Sequence, residues 1–481
     1  MSDFQVMPWI DRVMALWHQL VFLWTDRLVY FLIAVIVLTV CYVRRREHLH
    51  APWRRVAQSA SGMVGLALLL AFVAVGLLDS LHFKQPRSVE VLSVLDVVLR
   101  PLRAHAEKTY SAPLAIRSYA METVILPGGG EQRVFPRLIY GGAQLADVER
   151  DYTGDITRRI VLGAAAGLLA WGGLVWMFAA VRGEARSEWR RIWRGETTVP
   201  WRAIALALLP MALFSGVMVA LTGGYHVFGT DKVGQDVLYE ALKSIRTALV
   251  IGTLTTLLMV PFAIVFGIAA GYFGGWIDDA IQYVYTTLNS IPAVLLIAAS
   301  ILMMQVFIDR HAEWFATEAE RADVRLLVLC AILGVTTWTG LCRLLRGETL
   351  KLRELDYIQA AHAFGVNTLR ILTRHILPNA MHIVLINVVL AFSDLVLAEA
   401  VLSYIGVGVD PSMNSFGTMI NGARLEMARE PMVWWSLASA FVFMVTLVLA
   451  ANLFADSVRD AFDPRVRIAR PPSAAAFQSH E

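Results

Sequence analysis

Between two apolar runs the chain reads Tyr357-Ile358-Gln359-Ala360-Ala361-His362-Ala363-Phe364-Gly365. It continues through Val366 and Asn367 to Ile376-Leu377-Pro378-Asn379. The first eight residues predict a short helix, and Gly365 can supply the positive φ that a helix C-cap favours. Asn367 suits the cap of a second helix, Leu369–Ile376, and Pro378, which lacks an N–H, suits the start of the following apolar helix. The stretch reads as a helix, a tight turn and a helix projecting from a membrane surface. Ala360 and Ala361 give it a small-residue face that another protein could approach closely.

The flanking runs set the class. A bilayer core requires about 20 mostly apolar residues per helix, because it offers no water to satisfy exposed backbone groups. Nine stretches qualify, at 28–43, 61–79, 160–181, 201–223, 245–272, 280–308, 324–343, 380–403 and 433–456. Composition agrees: the 481 residues are 57% hydrophobic and 17% charged, with mean hydropathy +0.57. Soluble domains run nearer about 45–50% apolar and about 25% charged, so a soluble enzyme, a disordered chain, collagen and a coiled coil are excluded. A net charge of +3 is far from the basic excess of a nucleic-acid binder. Cys41, Cys330 and Cys342 are too scattered for a disulfide framework or a zinc site and read as small hydrophobes.

Lys and Arg concentrate in cytoplasmic loops. Arg44, Arg45, Arg46, Arg54 and Arg55 follow the first span; Arg182, Arg186, Arg190, Arg191 and Arg194 follow the third; Arg343, Arg346, Lys351, Arg353, Arg370 and Arg374 follow the seventh. The opposite loops, 224–244, 309–325 and 405–432, carry seven basic residues against these 16. This places the C-terminus in the cytoplasm and, with nine spans, the N-terminus outside. The loop Phe273 to Asp279 holds no Lys or Arg and adds nothing to the assignment. Before the first span, Trp9, Ile10, Val13, Trp17, Leu20, Val21 and Trp24 form an apolar face interrupted by Asp11, Arg12 and His18. That pattern fits an interfacial amphipathic helix; a tenth span there would move the N-terminus inside. Residues 80–155 hold nine basic and nine acidic residues and read as a folded extracytoplasmic segment. Its expected elements are a helix over Leu92–His105 and strands at Ala120–Ile125 and Arg133–Tyr140, around a Pro127-Gly128-Gly129-Gly130 turn. That turn lacks the Lys and Ser/Thr of a phosphate loop.

The run Gln359-Ala360-Ala361, then Gly365, then Leu377-Pro378, resembles the coupling signature of bacterial ABC importer permeases: Glu-Ala-Ala, three residues, Gly, and a distal Leu-Pro. Gln359 stands where the family has Glu, so no ion-pairing role is assigned to it. Gly229-Thr230-Asp231-Lys232-Val233-Gly234-Gln235-Asp236 resembles a segment of the dipeptide, oligopeptide and nickel branch, with Gln235 in place of Arg. Ala270 to Asp278, with Gly274 and Gly275, resembles its turn between the second and third core helices. Leu397 to Gly408, Asn414 to Gly417 and Arg459-Asp460-Ala461-Phe462-Asp463-Pro464-Arg465 resemble its C-terminal third.

The resemblance covers about 201–470 and implies an all-α polytopic membrane protein with a type I importer core of six membrane helices. About three extra N-terminal spans and a small α+β extracytoplasmic insert are added to it. The expected divisions are 1–27, an interfacial segment; 28–79, two membrane helices; 80–158, the insert; 159–200, a third helix and basic loop; 201–470, the core with its coupling loop 347–379; and 471–481, a flexible cytoplasmic tail. The family further implies a bacterial inner-membrane permease subunit that is not itself an enzyme and forms half of a path for oligopeptides or dipeptides. Its expected partners are a second homologous permease, two ATPases that hold ATP and Mg²⁺, and an extracytoplasmic binding protein. This chain has no phosphate-binding loop and no cofactor is expected in it. By carry-over Tyr357, Gln359, Ala360, Ala361, Gly365, Leu377 and Pro378 meet the ATPase, and Gly229, Thr230, Asp231, Gly234, Asp236, Gly274 and Gly275 are family-motif positions.

Ionisable and polar groups inside spans are functional candidates. Asn387, Asp394 and Glu399 are the candidates for the path; Asp394 and Glu399 lie about 140° apart around one helix and cannot simply pair. Their alternative roles are helix caps or outer-surface contacts, and Ser393 with Asn387 also suits interhelical hydrogen bonds. His362, His375 and His382 have no recognised metal-ligand spacing. Competing readings are nickel-chelate or peptide-antibiotic uptake by the same machinery, an ion-coupled secondary transporter, and a membrane-anchored sensor built on 80–155.

Overall fold

The computed structural model describes residues 20–45, 47–84, 91–125, 131–145, 147–182, 185–195, 197–315 and 317–462. The amphipathic segment up to residue 19, the Pro127-Gly128-Gly129-Gly130 turn, Arg46, the Asp463-Pro464-Arg465 end of the last motif and the 471–481 tail lie outside the described residues.

Among the described residues, nine helical stretches are long and apolar enough to cross a membrane. In chain order the N-terminal part contains α1 (Trp24–Arg44), α2 (Glu47–Gln58), α3 (Ala60–Asp79), the short α4 (Val94–Val98) and α5 (Arg100–Ala104), α6 (Val148–Arg182), α7 (Ala185–Arg194) and α8 (Trp201–Thr222). There follow α9 (Val237–Phe273), α10 (Gly275–Ser290), α11 (Ala293–Arg310), α12 (Glu318–Thr337) and α13 (Thr339–Arg353). The chain continues with α14 (Asp356–Ala363), α15 (Thr368–Ile371), α16 (Leu377–Tyr404), α17 (Phe416–Glu426) and α18 (Trp435–Phe462).

Several elements differ from the sequence expectation for identifiable reasons. Leu20–Val21 is a strand, β1, paired antiparallel with β2 (His82–Lys84), so these two residues leave the expected amphipathic helix. Trp24 opens the first membrane helix. The span expected at 280–308 is broken between α10 and α11: the residue before a proline is pushed to extended backbone, and Ile291 has ψ 132 before Pro292. The helix α9 is 37 residues long, about 55 Å at 1.5 Å per residue. Its first turns carry Glu240 and Lys243, which the apolar window at 245–272 leaves out, and Arg246 just inside that window. In the insert, the expected helix 92–105 divides into β3 (Val91–Ser93), α4 and α5. The Ser93/Asp96 capping box and Pro101 in the first turn of α5 set those boundaries. The second expected strand shifts to β5 (Glu131–Val134), paired with β4 (Glu122–Ile125) in the register Glu122↔Val134. Pro136 cannot extend that ladder.

The packing is organised around α9, which lies against α3, α12, α13, α16 and α18. Its buried Ile245 and Ala248 join Val396, Trp435 and Leu447 in one cluster, and Val250, Ile251 and Leu254 join Leu326, Leu329 and Leu333 in another. The pair α6 and α8 meets so closely that a Cβ on Gly167 would lie 2.4 Å from the Ala212 carbonyl, the small-residue contact that membrane helices favour.

Candidate functional site

The loop between α13 and α16 is built on one inward-facing row. Ile358 of α14, Ile371 of α15 and Ile376 are buried against Ile268 of α9. α14 starts with Asp356 in its first turn, where the helix dipole favours an acid. It ends in a full Schellman arrangement: Gly365 has φ +71, its N–H donates to the His362 carbonyl (3.0 Å), and the Val366 N–H reaches the Ala361 carbonyl (3.1 Å). Asn367 caps α15, accepting from the Leu369 N–H at 2.9 Å. The expected second helix does not stop before the span. It passes through a π turn, Leu372–Ile376, directly into α16, where Pro378 sits in the first turn. A widened turn accommodates the hydrogen bond that proline cannot donate.

The outward side of the same loop is apolar. Phe364 is 87% exposed, Leu369 66% and Tyr357 46%, and Gln359 and Ala360 are exposed beside them. Ala361 instead packs inward against the isoleucine row, so Ala360 and Ala361 do not form the single small-residue face expected. Gln359 donates to the Glu354 carbonyl at 3.3 Å. The two limbs are tied by Asn379, whose amide donates to the Tyr357 hydroxyl (3.1 Å) and the His375 carbonyl (2.7 Å). Leu377 is half-buried and Pro378 exposed. His362, His375 and His382 do not converge, and no group of metal-ligating side chains occurs among the described residues. The loop is braced to the bundle by Arg346, which makes a bidentate pair with Asp278 (2.5 and 2.6 Å), and by Arg353, which donates to the Tyr272 carbonyl. Both partners flank the turn formed by Gly274 and Gly275, where φ is +65 and +53.

At the other end of α9, the Gly229-to-Asp236 motif receives the insert. The Thr230 hydroxyl donates to the Thr109 carbonyl and accepts from the Ser111 N–H, and the Glu107 N–H donates to the Gly234 carbonyl. Gly234 has φ +77, and a Cβ there would fall 1.8 Å from the Glu107 carbonyl oxygen, so only glycine fits. Asp231 holds the turn by accepting from the Val233 and Gln235 N–H groups. Asp236 caps α9 through the Leu238 N–H and receives His226 Nδ1 at 2.9 Å. The other His226 nitrogen lies 3.5 Å from Glu107. Burial alone would raise the Glu107 carboxyl, but His226 and the backbone N–H groups of Tyr140, Ile139 and Gly141 bring it down to about 2. Burial likewise opposes charge on His226, yet the Asp236 and Glu107 carboxylates push it up to about 9. The ring is therefore an imidazolium clamped between two carboxylates at neutral pH.

A second set of contacts escaped the sequence reading because its members lie far apart in the chain. Arg246 of α9 reaches Asp26 of α1 at 2.7 Å and donates to Thr25 and Ser80, while Asp26 also takes His82 at 2.8 Å. Thr25 donates to Asp323 of α12 through its N–H and its hydroxyl. Beside it Lys243 bridges Asp79 (2.6 Å) and Asp96 (3.1 Å). These ion pairs join α1, α3 and the insert to α9 and α12, and Lys243, Arg246 and Asp323 also line a cavity of about 780 Å³. Among the path candidates, Glu399 is buried and accepts from Ser403 (2.7 Å) and Ser415 (2.9 Å). Asn387 donates to its own helix at the Ile383 carbonyl, Ser393 donates to Asn452 of α18, and Asp394 is exposed.

Residues 263–468 match the family described as binding-protein-dependent transport system inner membrane component. The chain is 30% identical over 272 residues to the oligopeptide transport system permease protein OppC of Mycobacterium bovis, covering 55% of this chain and 87% of the relative. It is 27% identical over 295 residues to the dipeptide transport system permease protein DppC of Bacillus subtilis (59% and 86%). To the glutathione transport system permease protein GsiD of Pectobacterium atrosepticum it is 28% identical over 302 residues (60% and 93%). With these relatives matched over most of their length, the chain belongs to the family of binding-protein-dependent transport system inner membrane components, the permease subunits of ABC importers.

Proposed function

We propose that this chain forms half of the translocation path of an ATP-driven importer for oligopeptides or dipeptides in a bacterial cytoplasmic membrane, beside a second, homologous permease. The observation that carries the reading is the exposed crest of Tyr357, Phe364 and Leu369 above the isoleucine row of the 347–379 loop. An apolar crest on a rigid, internally capped base is what a protein partner needs to grip and push. In this reading two ATPase subunits, which bind ATP and Mg²⁺, hold the crest in a cleft, with Tyr357, Gln359, Ala360 and Gly365 at the contact. Their closure is transmitted through the Arg346–Asp278 brace to α9 and α10. A binding protein delivers the solute from outside.

The solute class rests on relatives named for oligopeptides, dipeptides and glutathione. The distribution of basic residues supports a cytoplasmic C-terminus and an extracytoplasmic N-terminus. Helices α1, α3 and α6 are additions to the 201–470 core, and the insert sits at the external mouth, where it helps dock the binding protein or the partner permease.

Purification of the complex and ATP-dependent uptake of tri- to pentapeptides into proteoliposomes test this. Phe364→Asp, at an exposed position that leaves the loop core intact, should abolish ATPase association. Gly365→Pro, which forbids φ +71, should abolish uptake. Retention of both association and uptake in these variants would remove the coupling role, and uptake of nickel chelates or peptide antibiotics in place of peptides would change the solute while keeping the machine.

A further inference from the structure

The two carboxylates on α16 meet opposite fates. Glu399 is enclosed and bonded to two serines. Asp394 is exposed on the isolated chain and accepts no hydrogen bond from a described residue. It lies about 25 Å from the Leu377 end of the helix and about 15 Å from the Tyr404 end at 1.5 Å per residue. In a 28-residue helix that crosses a bilayer core of about 30 Å, this is the apolar interior. A carboxylate directed at acyl chains there is costly and rare, so it faces water or protein.

The described residues of its own chain do not supply that surrounding. Ser393, one residue away, donates to Asn452 of α18, and the buried Leu395 and Val396 pack into the bundle, so Asp394 points away from it. Seven residues toward the cytoplasm on the same helix face lies Asn387. Its amide donates to the Ile383 carbonyl, and its oxygen accepts no hydrogen bond from a described residue. The stripe thus offers two acceptors about 10 Å apart, with the exposed Leu397 and Val401 beyond them. A carboxylate with an amide oxygen on the same stripe matches an ammonium group, which has three N–H donors and no acceptor.

We propose that Asp394, with Asn387 as a second acceptor, lines the translocation path and selects solutes carrying a positive charge, the free amino end of a peptide being the expected group. The inference rests on the permease reading above, and a fixed ion pair with the partner permease is the competing role.

Two measurements on the assembled importer decide it. In a Cys41→Ser background, with Cys330 and Cys342 buried, Asp394→Cys should react with a charged, water-soluble methanethiosulfonate in the nucleotide-free or the ATP-bound state. No reaction in either state overturns the proposal, whether or not any peptide is transported. In proteoliposomes, Asp394→Asn should raise the KM for trialanine about 10- to 100-fold, the loss of one charge-assisted hydrogen bond. The KM for N-acetyl-trialanine should stay unchanged. Equal effects on the two peptides, or loss of the partner permease on purification of Asp394→Asn, overturns it. Absence of uptake of both peptides by the unmodified complex counts against the peptide reading alone, since the labelling still reports on Asp394.

Discussion

The His226 clamp yields a pH dependence with a definite sign. The imidazole has an ordinary value of 6.5 and is held at about 9 between Asp236 and Glu107. A folded-state value above the unfolded one stabilises fully below pH 6.5 and is lost as pH rises through 9. The difference is worth about 3 kcal/mol, and with the side chain 4% exposed, solvent screening removes little of it. Most of that remains at pH 7. Glu107 acts with the opposite sign: its carboxyl lies at about 2 against an ordinary 4.5, so its contribution is present above pH 4.5 and is lost as pH falls through 2. The docking of the insert on the Gly229-to-Asp236 loop is therefore firmest between about pH 4.5 and 6.5.

Global unfolding of a large membrane protein is a poor reporter of one docking contact. Local amide exchange in 107–114, the segment that donates to and accepts from the loop, reads it directly. The rate of local opening, corrected for intrinsic exchange, should rise about 100-fold between pH 6.5 and 9.5 in the unmodified chain. His226→Gln should start from a more open insert and show a nearly flat profile. Parallel profiles for the two proteins across that range would refute the assignment of charge to His226.

Two further outcomes follow from packing. Ile358→Ala removes a buried side chain from the row beneath the exposed crest of Tyr357, Phe364 and Leu369 and should cost about 2–5 kcal/mol of local stability. The crest would then be mispositioned, and ATP hydrolysis should continue while uptake per ATP falls. Arg246→Met leaves Asp26 and Asp323 without their cation, and breaking a buried pair from one side costs about 3–5 kcal/mol. Protease sensitivity of the β1–β2 region should increase, and Arg246→Lys, which keeps a cation beside both carboxylates, should lose less.

Much of the helical framework is legible in the chain because hydropathy is a local property. The apolar runs and the turn signals at Gly365 and Asn367 each depend on residues within a few positions. The break at Ile291-Pro292 was also written locally, but the apolar weight of 280–308 obscured it. The start of α9 is hidden for a related reason: Glu240 and Lys243 look like loop residues until Asp79 and Asp96 are brought beside Lys243.

The amino-acid sequence by itself determines that this is a multi-span membrane chain, where its polar loop lies and which family motifs it carries, because bilayer insertion, helix capping and turn formation read short segments. Only the tertiary structure decides how the N-terminal helices and insert are fastened to the core, since Asp26 and Arg246 are 220 residues apart. It likewise decides which of two similar acids on α16 is enclosed: Ser415 must fold back over Glu399, and no described residue folds back over Asp394.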